Sequence, residues 1–364
     1  SVLNVEMGAV ISASHNPVEY NGIKFFNNQG YKLSDALEDE IENIIMSHPE
    51  ILPSPTGIGL GTKEYAEDAL DDYIAFLTRT TTEKFDGIKV ALDCANGAAY
   101  KAAPIAMLDL GASLCIIHNE PDGTNINDKC GSTHMDDLKE MVVKNGADIG
   151  FAFDGDADRC LAVDEKGNLI DGDKILAICG LDMKERGALA KDTIVGTVMS
   201  NLGLTMMGKE KDIHILQTSV GDRYVLERML ADGYNIGGEQ SGHVILLHHA
   251  TTGDGELTAG KLLKLLAESG KKMSELNGIY AQYPQVLVNV AANAAQKAAY
   301  KEDKVLADFI ENEQQKLMDM GRVLVRVSGT EPKIRVMVEG QDLEAIDLCA
   351  KRIVDKINER IIEG

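Results

Sequence analysis

The sequence predicts a multidomain α/β protein that closes with a separate α+β domain. From residue 89 onward, short apolar runs with strand character alternate with helix-like segments, the rhythm of a parallel sheet with crossover helices. A similar pattern restarts at residue 193, which points to repeated α/β units. Toward the C-terminus, valine-rich runs replace that rhythm, and at 364 residues the chain is too long for one ordinary core.

Taken in order, residues 5–13 are small and apolar and end in the polar turn Ser14-His15-Asn16-Pro17. Leu37, Ile41 and Ile45 at helical spacing predict an amphipathic helix over 34–46. Residues 47–61 carry three prolines and three glycines and read as a linker; a second helix is expected over 65–78. A strand at 89–93, a turn at Gly97, a helix and a strand at 113–117 follow. A helix over 135–145 leads into a strand at 148–153, and runs at 161–163 and 168–170, joined by Lys166-Gly167, read as a hairpin. The pattern that restarts at 193–199 continues to about residue 276. In the last segment, 286–290 and 323–338 are β-patterned, with helices expected over 301–318 and 343–361.

Composition narrows the function classes. The formal net charge of -22 and pI near 4.7 argue against nucleic acid or an anionic membrane as partner. Any anionic substrate must be held by a few locally placed cations. The six cysteines are scattered and never spaced as CxxC, which favours reduced thiols in a cytoplasmic protein over disulfides or zinc. No apolar run is long enough to span a bilayer, and no signal peptide is recognisable. The chain opens at Ser1 without a methionine, directly before a strand-like run, as a fragment would.

The densest chemistry lies at 153–159 (FDGDADR), where Asp154, Asp156 and Asp158 alternate between two strand-like runs. Charge repulsion opposes that crowding unless a cation binds, and an oxygen-only ligand set favours a hard ion such as Mg²⁺. Arg159 beside the triplet points to a nearby anion, so metal and anion together suggest phosphate chemistry. A calcium-binding EF-hand loop is the competing reading. Asp154, Asp156, Asp158 and Glu165 fit four of its acidic positions, but Arg159 stands where the loop needs glycine, and the flanks are not helical.

Three further loops carry candidate groups. Ser14 sits at the end of an apolar strand, where α/β enzymes place functional loops; it reads as a nucleophile or phosphoryl carrier, or as a turn residue. Lys24 is a general base if its pKa is lowered. The loop 237–243 (GGEQSGH) offers Glu239 and Ser241 to adjacent sugar hydroxyls. In 326–335 (RVSGTEPKIR), Ser328, Gly329 and Thr330 offer backbone N–H groups and hydroxyls to a phosphate, flanked by Arg326 and Arg335; the alternative is a plain hairpin. Two lookalikes fail. GELTAGKL at 255–262 has Leu262 where a P-loop needs Ser or Thr, and GIGLG at 57–61 follows a proline-rich linker instead of a strand.

The order serine loop, aspartate loop, Gly-Gly-Glu loop and phosphate loop resembles the α-D-phosphohexomutase superfamily over essentially the whole chain. The likeness is greatest to its bacterial branch acting on glucosamine phosphate, through 11–17 (ISASHNP), 122–134 (DGTNINDKCGSTH), 197–201 (TVMSN), 237–243 and 251–255 (TTGDG). The resemblance implies three related α/β domains, the first one incomplete, plus a smaller C-terminal α+β domain around a central cleft. Its boundaries would fall at 1–60, 61–187, 188–282 and 283–364. It implies conversion of glucosamine 6-phosphate to glucosamine 1-phosphate through a sugar 1,6-bisphosphate, on the route to UDP-N-acetylglucosamine.

By the same resemblance, Ser14 is the phosphoserine, and Ser14, Asp154, Asp156 and Asp158 hold Mg²⁺. Lys24, His15 and Arg159 surround the transferred group. Glu239, Ser241, Gly221, Asp222 and Arg223 face the sugar, and Arg326, Ser328, Gly329, Thr330 and Arg335 hold the unreacting phosphate. A homodimer is the expected assembly if the chain oligomerises. Family members begin with a longer first domain carrying a Gly-Thr-Asp-Gly-type motif, which does not precede Ser14 here; reduced stability and weak or absent turnover are therefore expected. Preference for glucose or mannose phosphates, or a non-catalytic protein binding Mg²⁺ and sugar phosphate, stay open as alternatives.

Overall fold

A computed structural model describes residues 4–81, 84–328 and 331–362. The chain forms two compact units, Ser1–Met199 with Ile213–Ile279, and Ser200–Asp212 with Tyr280–Gly364.

The first unit opens with an antiparallel hairpin of β1 (Met7–Ser12) and β2 (Gly22–Asn27), in which Ser12 pairs with Gly22 next to the turn. Helix α1 (Asp35–Ser47) follows, its first turn closed by the Ser34 hydroxyl accepting from Leu37 N–H. Residues 47–61 hold two short 3₁₀ turns, Pro49–Ile51 and Gly57–Gly59, in otherwise irregular chain. Helix α2 (Ala69–Thr80) starts four residues later than the expected 65–78, where Asp71 and Asp72 place negative charge in its first turn and Ile74 and Leu77 begin its buried face.

The next strands and helices are β3 (Lys89–Asp93), α3 (Ala99–Asp109), β4 (Ser113–Ile117), α4 (Asp136–Asn145), β5 (Ile149–Phe153), β6 (Cys160–Asp164), β7 (Leu169–Ile170) and α5 (Gly172–Glu185). Their sheet has the order β4-β3-β5-β6-β7, parallel through β5 and antiparallel beyond it. Every residue of β5 and β6 is buried, as expected for strands covered on both faces. After β8 (Thr193–Thr197) the chain visits the second unit as α6 (Leu202–Glu210). It returns as β9 (His214–Thr218), α7 (Asp222–Asp232), β10 (Ile236–Gly238), β11 (Val244–Leu246), α8 (Gly255–Ser269) and α9 (Met273–Asn277).

The order β9-β8-β10-β11 repeats β4-β3-β5-β6 strand for strand, with two parallel pairings followed by one antiparallel hairpin. The β1–β2 pair is that closing hairpin alone. Each hairpin leads to a helix capped by a side-chain oxygen, from Ser34, Asp171 and Asp254 respectively. Phe151, Phe153, Ile175, Leu176, Ile194, Leu262 and Leu263 belong to one continuous core that joins both larger sheets. Among the described residues up to 60, only Ala13 and Leu33 are buried, so the first hairpin adds little to that core.

The second unit contains α6, β12 (Gln285–Ala291), α10 (Ala294–Glu302), α11 (Lys304–Lys316), β13 (Gly321–Val327), β14 (Lys333–Gly340) and α12 (Leu343–Ile357). The sheet is antiparallel in the order β12-β14-β13. Ile346, Cys349, Ala350, Ile353 and Ile357 form the buried stripe of α12. The helix expected over 301–318 is α11, which starts three residues late, and α10 ahead of it was not expected. Asp303 separates the two: its carboxylate accepts from Leu306 N–H at the start of α11 and is held by Arg360.

Glu339 on β14 is fully buried, with Arg322 Nη2 at 2.7 Å and Asn201 Nδ2 at 2.6 Å. Arg322 Nη2 also donates to the Ser200 carbonyl. Removing one partner leaves a buried carboxylate short of its charge balance. Arg322→Ala is expected to lower stability by about 3 kcal/mol, read by urea unfolding. An unchanged midpoint and slope would contradict this role.

Candidate active site

The aspartate loop is the turn between β5 and β6. Ala157 takes φ +58°, which reverses the chain within it. Asp154 closes the turn, its Oδ1 accepting from Arg159 N–H at 3.1 Å. Asp154, Asp156 and Asp158 each offer a carboxylate oxygen, and these atoms lie within 4.8 Å of one another. Asp154 Oδ2, Asp156 Oδ1 and Asp158 Oδ1 are buried without a hydrogen-bond partner. Burial, then the charges of Asp158 and Asp156, push the Asp154 carboxyl up to about 8. Burial pushes Asp158 the same way, but His243 and Lys24 outweigh it and hold that carboxyl well below the usual range. Orphaned, oxygen-only donors under mutual repulsion fit a hard divalent cation such as Mg²⁺.

Two cations flank the loop. Lys24 on β2 reaches Asp156 Oδ2 at 2.5 Å and Asp158 Oδ2 at 3.1 Å. Burial pulls the Lys24 pKa down, but the aspartates outweigh it and the pKa is raised. The condition for a general base, a lowered pKa, is therefore not met by Lys24 in this structure: it is an ammonium, able to neutralise charge or give a proton. Arg159 Nε lies 3.8 Å from Asp154 Oδ2 and 4.0 Å from Asp158 Oδ1.

The serine loop, the turn of the first hairpin, is stitched to the aspartate loop through backbone groups. Ser14 has φ +53°, and its carbonyl accepts from Gly155 N–H at 3.1 Å and from Asn127 Nδ2 at 2.8 Å. Asn127 Nδ2 also donates to the Asn16 carbonyl at 2.9 Å. Ser14 Oγ lies 3.4 Å from His15 Nδ1. Burial, then the Arg159 charge, lower the His15 pKa. Asn127 is a positioning residue that sequence reasoning left without a role; its only signal was the string at 122–134.

The third hairpin turn carries Glu239, whose Oε1 accepts from Gly221 N–H at 3.0 Å, while Ser241 is exposed. His243 was also missed. It is 3% exposed, and its Nε2 accepts from Gly253 N–H at 3.1 Å. In the neutral ring that leaves the proton on Nδ1, which faces Asp158 Oδ2 at 3.6 Å. The same ring lies 3.6 Å from Asp222 Oδ2, which pairs with Lys32. Arg223 does not join this cluster: its guanidinium is committed to Asp35 and Glu227.

The structure therefore gathers Ser14, His15, Lys24, Asp154, Asp156, Asp158 and Arg159, with Asp222 linked to Asp158 through His243 and Glu239 held on Gly221. The expected phosphate residues lie in the second unit. Arg326 and Arg335 are directly paired across β13 and β14, and burial, then Arg335, lower the Arg326 pKa. Ser328 is buried, and its Oγ accepts from Glu331 N–H at 3.1 Å; Arg335 pairs with Glu331. Gly329 and Thr330 lie outside the described residues.

The chain belongs to the phosphoglucomutase/phosphomannomutase family, a family of isomerases. It matches alpha/beta/alpha domain I over residues 1–51, domain II over 68–167, domain III over 171–283 and the C-terminal domain over 287–356. More particularly, it is 54% identical over 358 residues to the phosphoglucosamine mutase of Acetivibrio thermocellus, covering 98% of this chain and 80% of that one. To the phosphoglucosamine mutase of Ruminiclostridium cellulolyticum it is 56% identical over 361 residues, 99% of this chain and 79% of that one. Its fold is similar to a phosphoglucomutase/phosphomannomutase family protein from Burkholderia thailandensis, with TM-score 0.82 at 23% identity, covering 99% and 77% of the two chains. It is also similar to Aspergillus fumigatus N-acetylphosphoglucosamine mutase, solved in complex with GlcNAc-6P and magnesium, with TM-score 0.72 at 18% identity, covering 99% and 90%.

Gly155 is where the aspartate loop meets the serine loop. A Cβ there would lie 2.5 Å from the Ser14 carbonyl oxygen and 2.7 Å from Asn127 Nδ2. Gly155→Ala is expected to push the serine loop off the aspartates and lower mutase kcat by about 100-fold. Steady-state kinetics beside a thermal melt checks this; wild-type kcat would contradict the loop contact.

Proposed function

We propose that this chain interconverts glucosamine 6-phosphate and glucosamine 1-phosphate, with Ser14 as the phosphoryl carrier. The observation that carries this reading is the backbone stitching of the Ser14 turn to a turn with three orphaned carboxylate oxygens. Identity of 54–56% to phosphoglucosamine mutases supports the amino sugar over glucose or mannose. The six free cysteines are compatible with a reducing cytoplasm, the proposed compartment. No helix among the described residues is long and apolar enough to cross a membrane.

Asp154, Asp156 and Asp158, together with an oxygen of the seryl phosphate, would hold Mg²⁺. When bound, the ion neutralises charge on the phosphoryl oxygens. The chain supplies the rest. A sugar hydroxyl oxygen bonds to phosphorus as the bond from phosphorus to Ser14 Oγ breaks; the hydroxyl proton departs and Oγ gains one. The product is a sugar 1,6-bisphosphate, whose other phosphoryl group then returns to Oγ by the reverse step. Lys24 and Arg159 face the charge that moves, and Lys24 or His15 handles the proton. Glu239 and Ser241 bind sugar hydroxyls, and Gly221, Asp222 and Arg223 line the sugar side. Arg326, Ser328, Gly329, Thr330 and Arg335 hold the phosphate that is not reacting, and must accept it from either end of the sugar. We assign the domains to 1–60, 61–187, 188–282 and 283–364.

Incubation with a hexose 1,6-bisphosphate and Mg²⁺ is expected to place phosphate on Ser14, read by peptide mass spectrometry. Ser14→Ala should abolish both the adduct and turnover. Phosphate on another residue, or turnover by Ser14→Ala, would overturn the assignment. Across glucosamine, glucose and mannose 6-phosphates, kcat/KM should be highest for the amino sugar; a higher value for either neutral sugar would overturn the substrate assignment.

A further inference from the structure

A second cluster of metal-ligating side chains lies at the C-terminal edge of the β4-β3-β5 sheet, outside the aspartate loop. Asp93 ends β3, and His118 directly follows Ile117, its neighbour's last residue. Cys130 arrives from the loop before α4. Asp93, His118 and Cys130 each offer one ligand atom, and these lie within 4.8 Å of one another. The donors of tetrahedral zinc are separated by about 3.3–3.6 Å, so small side-chain shifts suffice. Asp93 and Cys130 are fully buried, while His118 is partly exposed.

The surroundings are those of a ligand set. His118 Nδ1 lies 3.0 Å from Asp93 Oδ2, yet it is a buried nitrogen without a well-formed hydrogen bond. On the far side of the ring, His118 Nε2 faces Asp137 Oδ2 at 3.5 Å. A metal-bound imidazole is commonly oriented in this way by an outer carboxylate. Asp93 is itself oriented by Ala95 N–H on Oδ1 at 2.9 Å and by Gly131 N–H on Oδ2 at 3.0 Å. Each oxygen keeps a second lone pair for a cation. Thiol, imidazole and carboxylate form a softer set than three aspartates, suited to zinc and unsuited to magnesium.

We infer that Asp93, His118 and Cys130 form a second metal site, selective for a thiophilic divalent cation such as Zn²⁺, with a fourth position left for water. The site shares its framework with the serine loop. Asp93 Oδ1 binds Ala95 N–H, the Ala95 carbonyl binds Asn127 N–H, and the Asn127 amide holds the Ser14 and Asn16 carbonyls. Cation binding would pin the segment 118–130 at both ends and stiffen the support on which Ser14 rests. The cysteine spacing gave no sign of zinc because the donors come from three separated segments.

Co²⁺ is the probe, because coordination by thiolate gives an intense near-ultraviolet charge-transfer band that an all-oxygen site cannot produce. The chelator-treated protein is titrated with Co²⁺ in excess Mg²⁺, which occupies the aspartate loop. The expected result is a saturable thiolate band, displaced by Zn²⁺, absent in Cys130→Ser, and requiring about ten-fold more Co²⁺ in Asp137→Asn. His118→Gln changes a partly exposed residue, so it provides a second readout if Cys130→Ser fails to fold; it too should lose the band. Absence of the band in the wild-type protein, its survival in a folded Cys130→Ser variant, or unchanged Co²⁺ affinity in His118→Gln would overturn the site.

Discussion

Three carboxylates crowded onto one tight turn are the constraint around which the first unit is arranged. Burial pushes Asp154 and Asp158 the same way, yet they end displaced in opposite directions: one has chiefly like charges for company, while the other has His243 and Lys24. That asymmetry comes from three different segments. Lys24 arrives from the first hairpin and His243 from the third, while the middle hairpin supplies the aspartates. Under the proposed function, a divalent cation would take up the charge that now falls to these side chains, freeing Lys24 to face the phosphoryl group.

The repeated topology explains why those segments meet. Each functional turn joins the antiparallel strands that close an α/β unit: Ser14 between β1 and β2, the aspartates between β5 and β6, and Glu239 between β10 and β11. Under the proposed function, one architectural position carries a nucleophile, a cation site and a sugar-binding carboxylate in turn. Glycine permits the close contacts that these turns make with one another and with the start of α5. A Cβ on Gly155 would strike the Ser14 carbonyl, and one on Gly172 would lie 2.0 Å from the Glu239 carbonyl oxygen. Side chains at these points would force the turns off these neighbours.

Much of this was legible in the sequence because it is local. The aspartate triplet, the strand on either side of it and the break in composition near the last domain need no distant partner to be seen. Asn127 and His243 were not legible, because what they do depends on partners far away in the chain. Asn127 acts on carbonyls 111 and 113 residues away, and His243 stands between Asp158 and Asp222. The direction of the Lys24 pKa was not legible for the same reason: it depends on two aspartates whose approach only the fold creates. The resemblance places Arg223 on a loop facing the sugar, yet Asp35 and Glu227 compete for it in space. The helix break at Asp303 could have been read locally, since an aspartate three residues before Leu306 is a cap signal that the surrounding helical pattern masked.

Under the proposed function, the three orphaned carboxylate oxygens form a cation site beside Ser14. Anomalous diffraction from crystals equilibrated with Mn²⁺, used in place of Mg²⁺, tests it most directly. A peak is expected within coordination distance of Asp154, Asp156 and Asp158, with Lys24 displaced from at least one of its two aspartates. A strong Mn²⁺ peak elsewhere, with Lys24 still bound to Asp156 and Asp158 and no metal between the carboxylates, would contradict it.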